Sequence, residues 1–194
     1  MSALLTTADL FSLEKYALTR QDFRQQVMTL KKNRQVNLGE HIRLLFENQM
    51  TVHYQIQEML RIEKIFEAAE IQEELDTYNP MIPTGLNLKA TMMIEYNAVE
   101  DRKEALSKLI GVERSIYIQV SEHSKVYPIC NEDLERETED KTSSVHFMRF
   151  EFTQAMVNDF CNKAIVKMGV EHSYYPQEII LDSLTQEALG QDFT

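Results

Sequence analysis

RQVNLGEHIRLLFENQMTVHYQIQEMLRIEKIF, residues 34 to 66, changes its period halfway along, and that change decides the fold class. Up to Phe46 the residues alternate: Ile42, Leu44 and Phe46 against His41, Arg43 and Glu47, around a turn at Asn37-Leu38-Gly39. Alternation of this kind belongs to a half-buried strand and predicts a β-hairpin; a helix beginning at Glu40 is the alternative. From Asn48, a good capping residue, the spacing turns helical and projects to about Ala68. Val52, Gln55, Ile56, Met59, Ile62 and Phe66 then share one face, Thr51 and Glu58 run along its edge, and Tyr54, Arg61 and Ile65 fall further round. Amides and a carboxylate on or beside an apolar face pose the functional question, because a buried carboxylate needs a cation, a metal or strong donors.

Working outward, the first ~30 residues read as helix, with Thr7 capping a short turn and Tyr16, Phe23, Val27 and Leu30 directed inward. IQEELDTY (71–78) is a second helix, stopped at Asn79-Pro80. Beyond it LKATMMIEY (88–96) reads as a strand, and VEDRKEALSKLIG (99–111) as a helix that Gly111 ends. SIYIQVSEHSKVYPI (115–129) reads as a hairpin turning at Ser121 to Ser124, followed by an acidic loop, CNEDLERETEDKT. TSSVHFMRFEF (142–152) is a strand; Thr153 caps a helix predicted to run to Gly169; VEHSYYPQEI is extended; and Ser183 with Gln186 suggests a capping box. Helices first, then strands joined largely by hairpins, predict a single α+β domain over 1–194, an antiparallel sheet packed on a long central helix and an N-terminal helical segment. The helical part is expected over about 1–80 and the mixed part over about 81–194.

The 194 residues carry 20 basic and 31 acidic side chains, a net charge of −11. A field of that sign repels phosphate backbones and anionic bilayers. The exception to weigh is a local basic group, Arg24, Lys31, Lys32 and Arg34, which reads first as a solvated helix end. No apolar run approaches the ~20 residues of a membrane span, and the start lacks a signal peptide's pattern, so a cytoplasmic protein is expected. Cys130 and Cys161 form no metal spacing; Cys161 is expected in the core, and acidic neighbours argue against Cys130 as a nucleophile.

Nucleotide-binding loops, hydrolase elbows, zinc-protease helices and EF-hands are absent. Two clusters remain. One is the helix edge Thr51, Gln55 and Glu58, with Glu47 upstream, Glu63 a turn beyond, and Arg61 among the partners open to Glu58. The other is the strand on which Val145, Phe147, Arg149 and Glu151 face one way, while His146, Met148, Phe150 and Phe152 face the other. Arg149 can clamp a carboxylate bidentately, from a ligand or from Glu58 or Glu95. His146 reads first as a satisfied core histidine. A mixed site of Glu47, Glu58 and His146 would suit iron, manganese or zinc, although His41, His53, His123, His146 and His172 show no ligand spacing. The acidic run from Glu132 to Asp140 reads as a solvated loop, and Tyr174 and Tyr175 before Pro176 suit either an interface, a homodimer's included, or a sheet edge.

The blocks FENQMTVHYQIQEMLRIEKIF, EELDTYNPMIP, MMIEY and KTSSVHFMRFEF resemble, in order, an uncharacterised bacterial family catalogued as domain of unknown function 3501, over about Arg20 to Asp192. The family's recurring positions fall at Phe46, Glu47, Thr51, Gln55, Gln57, Glu58, Arg61, Glu63, Thr142, His146, Arg149 and Glu151. The resemblance implies no activity. It implies a setting among rubrerythrin-like or iron–sulfur oxidoreductase proteins, hence an accessory or interaction protein of redox or iron metabolism. The alternatives are a carboxylate/histidine metalloprotein, an oxidoreductase among them, and a small-anion binding module anchored by Arg149. Glu58 is expected to meet Arg149.

Overall fold

The structure is a computed structural model that describes residues 4–193. These form six α-helices and eight strands in an α+β arrangement with antiparallel sheets. The opening stretch folds with the expected change of period. β1 (Gln35–Leu38) and β2 (Ile42–Phe46) make the hairpin, and α2 (Gln49–Glu63) follows two residues later, its first turn capped by the Asn48 side chain. Lys64 adopts a left-handed conformation (φ 57°, ψ 42°), so α2 ends five residues before the expected Ala68. Phe66 therefore lies beyond the helix and is exposed, as is Ile62.

α1 (Leu13–Lys32) and α3 (Ala68–Tyr78) pack on either side of α2. Two flanking helices bury more of α2 than one face, and its covered residues are Thr51, Val52, Tyr54, Ile56, Gln57 and Leu60. Gln55, expected on the apolar face, is exposed, and Tyr54, expected off it, is buried. A small core of Leu5, Val52, Ile56, Leu60, Leu75 and Ile82 holds these helices together.

The larger core lies between two sheets rather than under one. The first runs β1-β2-β3-β6-β5, with β3 at Asn87–Ile94, β5 at Ile129–Cys130 and β6 at Val145–Glu151. The second runs β4-β7-β8, with β4 at Ile116–Val120, β7 at Val166–His172 and β8 at Tyr175–Ile180. The hairpin expected from 115 to 129 turns where predicted, at Ser121, but only Ile118 and Val126 bridge; β4 pairs with β7, and the returning chain joins the other sheet through β5. α4 (Val99–Lys108) stops before Gly111, whose φ of 80° starts a short 3-10 turn, Val112–Ser115.

The helix after Thr153 is half as long as its spacing suggests. α5 (Gln154–Cys161) gives way at Asn162 and Lys163, and Val166, Lys167 and Met168 open β7 instead. Gly169 is no helix stop. It sits mid-strand opposite Tyr117, where a Cβ would lie 2.6 Å from the Tyr117 hydroxyl and the Gln177 carbonyl. Cys161, expected in the core, is exposed on the short helix. α6 (Ser183–Gly190) is capped one residue earlier than expected, by Asp182. Gln186 is buried and donates to Phe160 O and Ala164 O.

Candidate functional site

The two clusters suggested by the sequence do not form one site. Glu58 faces α1, where Arg20 Nε and Nη2 grip its two oxygens at 2.7 Å each and the Tyr16 hydroxyl donates at 2.7 Å. Arg20 foremost, with help from Tyr16, holds the Glu58 carboxyl down at about 2 against the opposing effect of burial. Arg61 is exposed and reaches Glu58 only at 3.7 Å. The expected Glu58–Arg149 pair is thus replaced by Glu58–Arg20, because the helix turns its carboxylate to its helical neighbour and not to the sheet. Glu95, the other proposed partner of Arg149, pairs with Arg43.

His146 lies on the opposite face of β6 from Arg149 and is fully buried. The Asn131 carboxamide oxygen accepts from Phe147 N at 3.3 Å, which turns its NH2 toward His146 Nδ1 at 3.0 Å. Nδ1 is therefore the acceptor, and Nε2–H donates toward Ser143 O at 3.0 Å, with Thr142 Oγ1 also at 3.0 Å. Burial foremost keeps the imidazole below its ordinary value, against Glu113 and Glu137 and together with Arg136. The ring thus fastens both ends of the 131–143 segment. Beside it, Glu113 is fully buried and its oxygens accept no hydrogen bond; Arg114 Nη1 lies 2.9 Å away but out of line. Burial, then Glu113, push the Cys130 thiol up to about 12, which disfavours its thiolate.

Glu47, Glu58 and His146 consequently sit in three separate environments. Among the described residues no group of three or more His, Cys, Asp or Glu is placed to hold a metal ion.

What the structure does bring together is the outer face of the first sheet. Glu47, Lys89, Phe147 and Arg149 line a cavity of about 470 Å³ there, together with Ala90 and Met148. Its second wall is the end of α3 and the following 3-10 turn, Asn79–Met81, through Asp76, Thr77, Tyr78, Pro80 and Met81. Ile129, Glu132, Asp133 and Arg136 close the third side. The acidic run is therefore partly a cavity wall. It is pinned by Arg136 to Asp133, by Glu137 to Gly111 N and Arg114, and by Asn131 and Ser143 to His146.

Charges in the cavity are unevenly matched. Arg149 spends Nε and Nη2 on Glu132, at 2.8 and 2.7 Å, and Nη1 on Glu151. Lys89 stands directly opposite Arg149 in the β3–β6 register, a like-charge pair that costs stability. Its Nζ donates to Pro80 O at 2.6 Å and, among the described residues, has no carboxylate within ion-pair distance. Burial, then Arg149, lowers its affinity for a proton, with Glu132 and Glu151 opposing. Glu47 is 8% exposed and, among the described residues, has no cation within ion-pair distance; Thr51 Oγ1 donates to one oxygen at 2.5 Å and Thr91 Oγ1 to the other at 2.9 Å.

Of the residues singled out from sequence, Glu47, Arg149 and, through Glu47, Thr51 belong to this site. Glu151 supports it through Arg149 and receives a bond from Asn87 at 3.2 Å. Gln55, Glu58, Arg61 and His146 do not line it. Lys89, Phe147 and Arg136 escaped attention as site residues. The signal that finds Lys89 is the pairing register, since two cations face each other only once β3 is aligned on β6.

A family model described as "Protein of unknown function (DUF3501)" matches residues 4–193. The chain is also similar to a crystal structure of a novel protein of unknown function from Burkholderia pseudomallei K96243. The identity is 44% over 99% of this chain and 100% of that one, with a TM-score of 0.94. None of the curated proteins matches the chain.

Proposed function

The chain belongs to the family described as Protein of unknown function (DUF3501), and on that premise we propose that it is a small-molecule-binding module whose ligand carries an anionic group. The observation that carries this reading is Lys89, a partly buried ammonium in a cavity of about 470 Å³ with, among the described residues, no carboxylate within ion-pair distance. That volume falls within the ordinary range of ligand pockets, which combine an apolar lining with a few convergent polar groups. Tyr78, Met81, Ile129 and Phe147 provide the apolar part. An entering anion would offset the Lys89–Arg149 repulsion and restore the proton affinity that burial removes.

The anchor is Lys89 rather than Arg149. All three Arg149 nitrogens already serve Glu132 and Glu151, so Arg149 leaves no free fork for a ligand carboxylate. The accessory role beside redox or iron proteins is carried by the family resemblance and by no arrangement of residues described above, so the pocket reading is preferred. Calorimetric titration with linear carboxylates and with phosphate tests it. Binding should weaken about tenfold or more in Lys89→Met, the loss of one charge-assisted contact, and should not change in Arg20→Ala. Absence of binding by any of these anions at about 10 mM, weaker than roughly −3 kcal/mol, would sink the proposal.

A further inference from the structure

Resting on that reading, we infer that the ligand is a zwitterion, with its carboxylate at Lys89 and an ammonium group at Glu47. Glu47 and Lys89 are cross-strand neighbours where β2 runs out, Glu47 N donating to Lys89 O at 2.8 Å. Both side chains line the same cavity, yet they do not pair with each other. Lys89 reaches toward the 3-10 turn at Pro80, and Glu47 is held by Thr51 and Thr91 against α2 and β3.

The other charges of the cavity are paired or solvated. Arg149 is matched by Glu132 and Glu151, and Arg136 by Asp133; Asp76, which accepts from Gln72 at 2.8 Å, is exposed and keeps its charge in water. What remains is one unpaired cation and one buried anion in a partly apolar cavity. A buried carboxylate satisfied only by two neutral hydroxyls retains lone pairs that a cationic donor would take up strongly, because charge-assisted bonds are about twice as strong as neutral ones. A dianion would set its second charge against Glu47, and a dication would set one against Lys89. Only a molecule bearing both signs meets both residues, and the aliphatic and aromatic lining suits a hydrocarbon spacer between them.

The test compares, on the unmodified protein, straight-chain ω-amino acids of about four to eight carbons, a span suited to such a cavity, with the dicarboxylates and diamines of the same lengths. The best ω-amino acid should bind at least about tenfold more tightly than either counterpart, the equivalent of one charge-assisted contact. Glu47→Gln should shrink its advantage over the dicarboxylate to about threefold or less on the same scale. A dicarboxylate that binds as tightly as the amino acid overturns the zwitterion assignment and leaves the anion site standing. A diamine that binds best overturns both, as does a series in which nothing binds.

Discussion

Arg34 groups in the sequence with Arg24, Lys31 and Lys32 as a local basic stretch, and it is instead one of the largest buried side chains among the described residues. It donates to Phe46 O, Glu47 O and Ala188 O at 3.0 Å each, and it pairs with Asp192. It thereby ties the chain after α1 to the end of β2 and to α6. Burial raises the Asp192 carboxyl despite the arginine beside it, so the ion pair itself is no large gain. The three carbonyls are another matter, since among the described residues no other side chain donates to them. Arg34→Met should cost about 3–5 kcal/mol, and Asp192→Asn clearly less, by urea denaturation; equal costs would mean that the ion pair, not the carbonyls, dominates. Glu58 makes a second prediction with a sign. Its folded value, about 2, lies below the ordinary 4.5, so its stabilising contribution is complete above pH 4.5 and lost as pH falls toward 2. Glu58→Gln should flatten that acid limb and cost about 2 kcal/mol at neutral pH, the scale of charge-assisted hydrogen bonds. That Glu58 needed a cation was legible in the sequence. Which cation was not, because Arg20 lies 38 residues away and meets it only through helix packing.

At the scale of elements, local chemistry announced starts better than ends. Asn48 and Thr153 cap the helices that follow them. The termini of α2 and α5 depend instead on Lys64 and Lys163 in left-handed conformations, which non-glycine residues seldom adopt and which no residue type announces. The inward face of α2 was misjudged by period alone because α1 and α3 cover it from two sides, which brings Tyr54 and Gln57 inside. The 131–143 segment offers a prediction about pH. His146 is neutral in the fold and kept below the ordinary ~6.5 chiefly by burial, so its contribution is complete above that value and lost as pH falls. A proton on Nδ1 would face the Asn131 NH2, donor against donor, and break the fastening at Asn131 first. Hydrogen exchange of the Asn131 and Phe147 amides, corrected for intrinsic rate, should accelerate between pH 7 and about 5, and in His146→Phe it should be fast at both. Unchanged protection over that range would show that the imidazole does not hold the segment.

Over the whole molecule, two hydrophobic clusters form, one among the helices and one between the sheets, and the cavity lies where the helical part meets the outer face of the first sheet. The α+β class and the alternation that points Arg149 and Phe147 to one face of β6 and His146 to the other were readable from period. The cavity was not, because it is built from residues 47, 76–81, 89–90, 129–136 and 147–149, segments joined only by tertiary packing. Among the described residues no helix is long and apolar enough to cross a membrane. The proposed binding belongs to this cavity and not to the Glu58 edge of α2. Backbone amide shifts followed during titration with 6-aminohexanoate test it most directly. Saturable changes are expected on both walls, at Thr77, Tyr78 and Met81 and at Lys89, Phe147 and Arg149, with Arg20 and Glu58 unmoved. Changes centred on Arg20 and Glu58, or none at saturating ligand, would contradict it.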